Sequence, residues 1–190
     1  MSYAIAITFY RRNIFPQLFV RSQVVTARGV AMYEQMIKLV KLLDACNIQA
    51  GLEYLNSRVP HRFTAIYKLD GDVFILQHFV DKLGEIAPQL LTKVPFDASF
   101  CQYSVGLGQF VSEDTINDQR LNGHPNQGTL GTYVGLPLTL MPFGLYGTFC
   151  HFDFDPNLRV TDEEFEYLQG AMRVLPKYLN RKPLPNVQSL

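Results

Sequence analysis

The sequence predicts an α+β fold in which a central antiparallel sheet of five or six strands carries helices on both faces. Three observations lead there. Apolar, β-branched and aromatic runs flank a Pro142-Phe143-Gly144 break within residues 133–156, the pattern of a hairpin with a longer loop. Two further runs of this kind, 63–69 and 73–80, meet at Asp70-Gly71, which supplies the positive φ of a two-residue hairpin loop. Apolar residues at helical spacing occur at 32–43, 48–59 and 165–179. The long hairpin is expected at the centre of the sheet. Gly135 and Gly147 stand inside its arms, and a glycine within a strand marks close approach of another group, so helices should cover the sheet tightly.

Composition narrows the function classes. A chain of 190 residues that is 47% hydrophobic can build one core. Seventeen basic and seventeen acidic residues cancel, so no net field draws the protein to nucleic acid or an anionic membrane, and neither is expected as a partner. Cys46, Cys101 and Cys150 are odd in number and far apart, unlike a secreted disulfide framework; a reducing cytoplasm is the expected compartment. No apolar run reaches the roughly 20 residues of a membrane-spanning helix.

In chain order, residues 1–31 carry Arg11, Arg12, Arg21 and Arg28 but no acid over the first thirty positions. That composition suits a targeting segment, an extension ahead of Met32, or an arm docked on a partner. A single domain is expected over 32–180, followed by a tail at 181–190. Tyr33, Met36, Ile37, Val40 and Leu43 predict the first helix, and Leu39 and Leu42 widen its stripe enough for a second protomer to pack there or for deeper burial on the sheet. Asp44 and Asn47 are both capping residues, so a break is expected near Cys46, itself read as a small buried apolar residue. Pro60 closes the second helix, and the 63–69 and 73–80 hairpin follows. Residues 84–92 read as a weak helix or loop, with Pro88 tolerated in a first turn. Asp97 is expected to cap a short helix through 98–103, after which Gly106 and Gly108 release the chain into a strand at 109–112. The polar stretch 113–128 is a long connection, the natural lid over a pocket. Thr161 with Glu164 forms a capping box, and Pro176 should kink or end the last helix near Val174.

Several runs together resemble one family. Tyr133-Val134-Gly135-Leu136-Pro137-Leu138, Gly147-Thr148-Phe149-Cys150, Phe152-Asp153 and the helix start Thr161-Asp162-Glu163-Glu164 are similar to the C-terminal half of a GAF domain. Val94-Pro95-Phe96-Asp97-Ala98-Ser99-Phe100-Cys101 and Asp114-Thr115-Ile116-Asn117-Asp118-Gln119-Arg120 resemble its middle, so the likeness runs from about Asp44 to Leu179. The resemblance implies a small-molecule sensor fold without naming the ligand or a cofactor. The motif of cyclic-nucleotide-binding members is missing between Gly106 and Pro156, and so is the local pattern at which bilin-binding members attach their pigment. Free methionine-(R)-sulfoxide reductases of this family use a nucleophilic and a resolving cysteine; no cysteine lies between Cys101 and Cys150, so the sequence departs from their pattern by lacking the glycine-flanked and acid-flanked cysteines, and those two residues are the one pair left for such chemistry.

The expected ligand site lies between the sheet, the short helix and the 113–128 connection, with Phe96, Ser99, Cys101 and Tyr103 in its wall and Asp114, Arg120 and Tyr133 as polar contributors. The same residues could instead pack the core of a GAF fold without a ligand. Arg120 suits an anionic group, or pairs with Asp114 or Asp118 and fastens the loop. Cys150 and His151 are neighbours on a strand and point to opposite faces, which favours a structural role over a reactive pair. His61, His78, His124 and His151 lack metal-ligand spacing, and Gly106-Leu107-Gly108 lacks the rest of a phosphate loop. The functional expectation is a stand-alone sensory or regulatory domain that binds an unidentified small molecule and signals through its terminal helices to a second copy or a separate output protein. The alternatives are a thiol-dependent reductase and a ligand-free dimerisation module.

Overall fold

Runs rich in apolar, β-branched and aromatic residues form the long strands, and the computed structural model joins six strands into one sheet. It describes residues 27–45, 47–85, 89–142 and 144–179. The chain divides into two units, Met1–Met32 and Tyr33–Leu190; the described part of the first is 27–32, and the sheet with all its layers belongs to the second. Expectations for Cys46, Pro88 and the 181–190 tail fall outside the described residues, as does most of 1–31.

The elements run α1 (Ala27–Ala45), α2 (Ile48–Ser57), β1 (Phe63–Asp70), β2 (Val73–Asp81), β3 (Lys93–Pro95), α3 (Cys101–Leu107), β4 (Phe110–Ser112), β5 (Thr132–Leu140), β6 (Gly144–Asp153) and α4 (Asp162–Ala171). All strand pairs are antiparallel, in the order β3-β2-β1-β6-β5-β4. The long hairpin β5–β6 is thus central, and β6 lies beside β1 with Ala65 opposite Cys150. No helix among the described residues is long and apolar enough to cross a membrane.

Helix ends follow local chemistry in two places. Asn47 Oδ1 accepts from the Ala50 amide at 3.0 Å, opening α2 after the break that its sequence predicts. Thr161 Oγ1 accepts from the Glu164 amide at 3.2 Å, opening α4. Three expectations need correction. The first hairpin loop is Gly71-Asp72, one residue later than predicted, because Asp70 already pairs with Val73 and Gly71 takes the positive φ of 61°. Asp97 caps no helix: it lies inside a 3₁₀ turn, Phe96–Ala98, and the Ser99 hydroxyl accepts from the Cys101 amide instead. The last helix ends at Ala171, and Pro176 sits in a separate 3₁₀ turn, Leu175–Lys177.

The two faces of the sheet are covered differently. α1, α2 and α4 share one face, where Leu39, Leu43, Leu52, Leu55 and Leu168 are buried. Arg58 ties these helices: its guanidinium donates to both Glu164 oxygens at 2.6 and 2.7 Å and to Gln35 at 2.9 Å, and it lies 4.0 Å over the Tyr167 ring. The opposite face carries α3 and the 113–128 connection over a core of Phe63, Ala65, Tyr67, Phe100, Cys101, Phe110, Leu121, Tyr133, Cys150 and Phe152. Gly147 permits β6 to press on β1, since a Cβ there would collide with the Tyr67 carbonyl.

Candidate functional site

Position on the sheet decides which side chains meet beneath α3. Alternation along β6 turns Thr148 and Cys150 toward α3 and turns Phe149 and His151 toward α2. Cys101, the first residue of α3, sits over this part of the sheet and is 2% exposed; Cys150 is 1% exposed. Both thiols are free and belong to the same buried cluster between α3 and the sheet. The Tyr133 hydroxyl donates to Cys101 Sγ at 3.2 Å, and Ser104 Oγ lies 3.4 Å from the same hydroxyl. Gly135 creates the room. A Cβ at that position would fall on Ser104 Oγ and 2.5 Å from the Tyr133 oxygen, so only a residue without a side chain lets the phenol fold back over β5 to reach the sulfur.

Burial by itself pushes the Cys101 thiol up, but hydrogen bonding from Cys150, Ser99, Thr148 and Tyr133 outweighs it and holds this thiol below the usual range. Burial and the adjacent Cys101 sulfur push Cys150 well up. Tyr133 is likewise pushed up by burial and by the two thiols, and stays a protonated donor. The arrangement provides one thiol favoured as thiolate, a second favoured as thiol, and a phenolic donor, all in a water-poor layer.

Of the predicted site residues, Ser99, Cys101 and Tyr133 come together. Tyr103 is half-buried beside them, its ring 4.9 Å from Phe110 and 5.6 Å from His124. Phe96 lies further along the same face, stacked on Phe74 at 5.5 Å. Asp114 accepts from the Asn117 side chain at 2.7 Å. Arg120 donates to Asp118 and, at 2.5 Å, to the Val111 carbonyl, and its guanidinium lies 4.6 Å over Phe110. It thereby fastens the connection to β4, and its hydrogen bond holds the Asp118 carboxyl down at about 2. Ser104 and Thr148 complete the cluster without having been among the predicted site residues, and Cys150 joins it as the second thiol of the reductase alternative. The signal was available, since Ser104 lies one helical turn beyond Cys101, and Thr148 shares a strand face with Cys150.

Elsewhere two cavities open at the surface. One, of about 590 Å³, lies between α2 and the end of β2, lined by Gln49, Asn56 and Phe79 among others; the second, of about 390 Å³, lies beside Pro60, Lys82 and Asp153. Neither touches the seven predicted residues. No group of three or more metal-ligating side chains occurs among the described residues.

No sequence-family model matches the chain, and no curated protein does. Structural likeness is extensive. The GAF domain of an Acinetobacter phosphoenolpyruvate-protein phosphotransferase superposes with a TM-score of 0.62 at 9% identity, over 78% of this chain and 92% of that one. The chain has the GAF fold. The corresponding domain from Coxiella burnetii gives a TM-score of 0.61 at 10% identity, over 81% and 95% of the two chains. An enzyme shares the fold as well: the free methionine-R-sulfoxide reductase of Neisseria meningitidis, determined with its substrate, gives 0.58 at 16% identity over 85% and 93%. The GAF fold is therefore common to sensor proteins and to free methionine-R-sulfoxide reductases, and the fold alone does not separate the two roles.

Proposed function

We propose that the chain is a sensory or regulatory GAF-type domain that admits a small molecule into the layer between the sheet and α3 and passes its state to a partner through α1 and α4. One observation carries this reading: the hydroxyls of Ser99, Ser104, Thr148 and Tyr133 and two thiols are buried together in an otherwise apolar layer, beneath an irregular connection. Polar groups in such a place cost stability, and a recognition site is a reason to retain them. The connection is held by few buried side chains, Thr115, Leu121 and His124, while Ile116 is exposed, so its opening is inexpensive. A reducing cytoplasm is the compartment that would keep the thiols free.

Native mass spectrometry of protein purified from its source cells tests the reading. A mass increment lost on denaturation is expected; its absence across preparations makes the ligand-free module the better account. The partner is expected to be a second copy or a separate output protein, with the half-buried Met36, Ile37 and Val40 of α1 as part of the contact. Sedimentation at micromolar concentration should give a dimer.

The thiol pair specifically favours a second reading, a reductase of the free methionine-R-sulfoxide type, in which Cys101 attacks and Cys150 resolves. Production of methionine from the free sulfoxide with a dithiol reductant tests it.

A further inference from the structure

We propose that Cys101 and Cys150 form a dithiol that small hydroperoxides oxidise to a disulfide, stapling α3 to β6. The inference rests on the same thiol pair as the reductase reading, but it requires neither a bound ligand nor turnover of a sulfoxide.

The geometry supplies each part. Cys101 and Cys150 lie in one buried cluster, Cys101 on the helix that covers the sheet and Cys150 on the strand beneath it, with Ala65 opposite Cys150 in the sheet. Tyr133 directs its hydroxyl hydrogen at Cys101 Sγ, which supports the thiolate at the sulfur that reacts. Burial selects the oxidant. Both thiols are at most 2% exposed, and neither surface cavity reaches them, so an amino-acid-sized substrate requires displacement of α3 or the connection. Hydrogen peroxide is close to water in size and enters during the local fluctuations of a seven-residue helix.

The step balances. The Cys101 thiolate attacks one peroxide oxygen, the O–O bond breaks, and the departing hydroxide takes a proton and leaves as water. Sulfur is oxidised by two electrons to the sulfenic acid, and the peroxide is reduced. The Cys150 sulfur then attacks the Cys101 sulfur, the S–O bond breaks, and the hydroxyl leaves with the Cys150 proton as a second water. An external dithiol restores the pair by exchange.

The reduced full chain is exposed to stoichiometric hydrogen peroxide or, in a parallel arm, to free methionine sulfoxide. Remaining thiols are then blocked under denaturing conditions and peptides identified by mass. The expected result is a Cys101–Cys150 crosslink with peroxide and little with the sulfoxide, Cys46 remaining free. Cys150→Ser should leave a sulfenic acid on Cys101 that a dimedone probe captures, and Cys101→Ala should abolish both products while the melting transition is retained. Tyr133→Phe should slow the reaction about tenfold at neutral pH and move its pH profile upward, whereas a purely packing role for the phenol leaves the profile in place. Free Cys101 and Cys150 after peroxide treatment, or a crosslink to Cys46, overturn the proposal. A crosslink formed as readily by the sulfoxide overturns the size selection and supports the reductase; methionine production without peroxide reactivity supports the reductase alone.

Discussion

The two faces of the sheet bury polar groups in different ways. On the α2 side, Asn56 donates to Thr64 Oγ1 at 2.7 Å, and Thr64 lies 2.7 Å from His151 Nδ1, with His61 stacked on His151 at a ring separation of 6.2 Å. Regular helices cover this cluster, and burial lowers both histidines, His61 to about 4. On the α3 side the polar groups are thiols, hydroxyls and the buried His124 ring, beneath a seven-residue helix and an irregular connection. One face has thick helical cover and groups that resist protonation. The other has thin cover and nucleophilic groups. Under the proposed function, the first face supplies stability and the second supplies the response.

Core truncations separate the faces most strongly. Leu168→Ala in α4 removes a fully buried side chain from a layer that cannot collapse, and should cost about 3–5 kcal/mol in urea unfolding. Leu121→Ala, equally buried but on the connection, should cost only about 1–2 kcal/mol globally while sharply increasing proteolysis within 113–128, because the segment opens locally. Equal global losses would erase the distinction.

Acid should strike the helical face. The folded pKa of His61 lies below its ordinary value of 6.5, so the unfolded chain takes up the proton first as pH falls. The associated stability is complete above about pH 6.5 and is lost progressively down to pH 4, up to about 3 kcal/mol from this residue, with His151 adding in the same direction. Urea unfolding across that window measures the slope; a flat profile contradicts burial of the neutral rings.

Two smaller substitutions probe the α3 side. Gly135→Ala pushes the new methyl into Ser104 and Tyr133 and should cost about 1–3 kcal/mol. It should also raise the pH at which Cys101 is alkylated in gently destabilised protein, because the phenol is displaced from the sulfur. Arg120→Ala removes an exposed pair with Asp118 and should cost under about 1 kcal/mol globally, yet speed hydrogen exchange in the connection.

Local signals were legible in the sequence. The Asn47 and Thr161 caps, the central hairpin and the closely packed Gly135 and Gly147 depend on neighbouring residues or on the absence of a side chain, and the chain states them directly. Local competition displaced two expectations: Asp70 joins β1 opposite Val73 and moves the loop to Gly71-Asp72, while Asp97 falls inside a 3₁₀ turn and the Ser99 hydroxyl accepts from the first amide of α3. The site was half legible. Cys101 and Tyr133 could be placed on the same layer, but the contact between Cys101 and Cys150 depends on β6 pairing with β1 beneath α3. The His61–His151 stack likewise depends on distant pieces of chain meeting at the sheet, which no short-range spacing records.

Hydrogen exchange of the reduced full chain, with and without the low-molecular-weight fraction of a cell extract, tests the division of labour most directly. If the faces divide stability and response, α3 and residues 113–128 exchange much faster than α2, α4 and the central strands β1, β5 and β6, and the extract slows exchange in α3 and the connection selectively. Protection of α3 and the connection equal to that of the helical face, unchanged by the extract, would contradict that division.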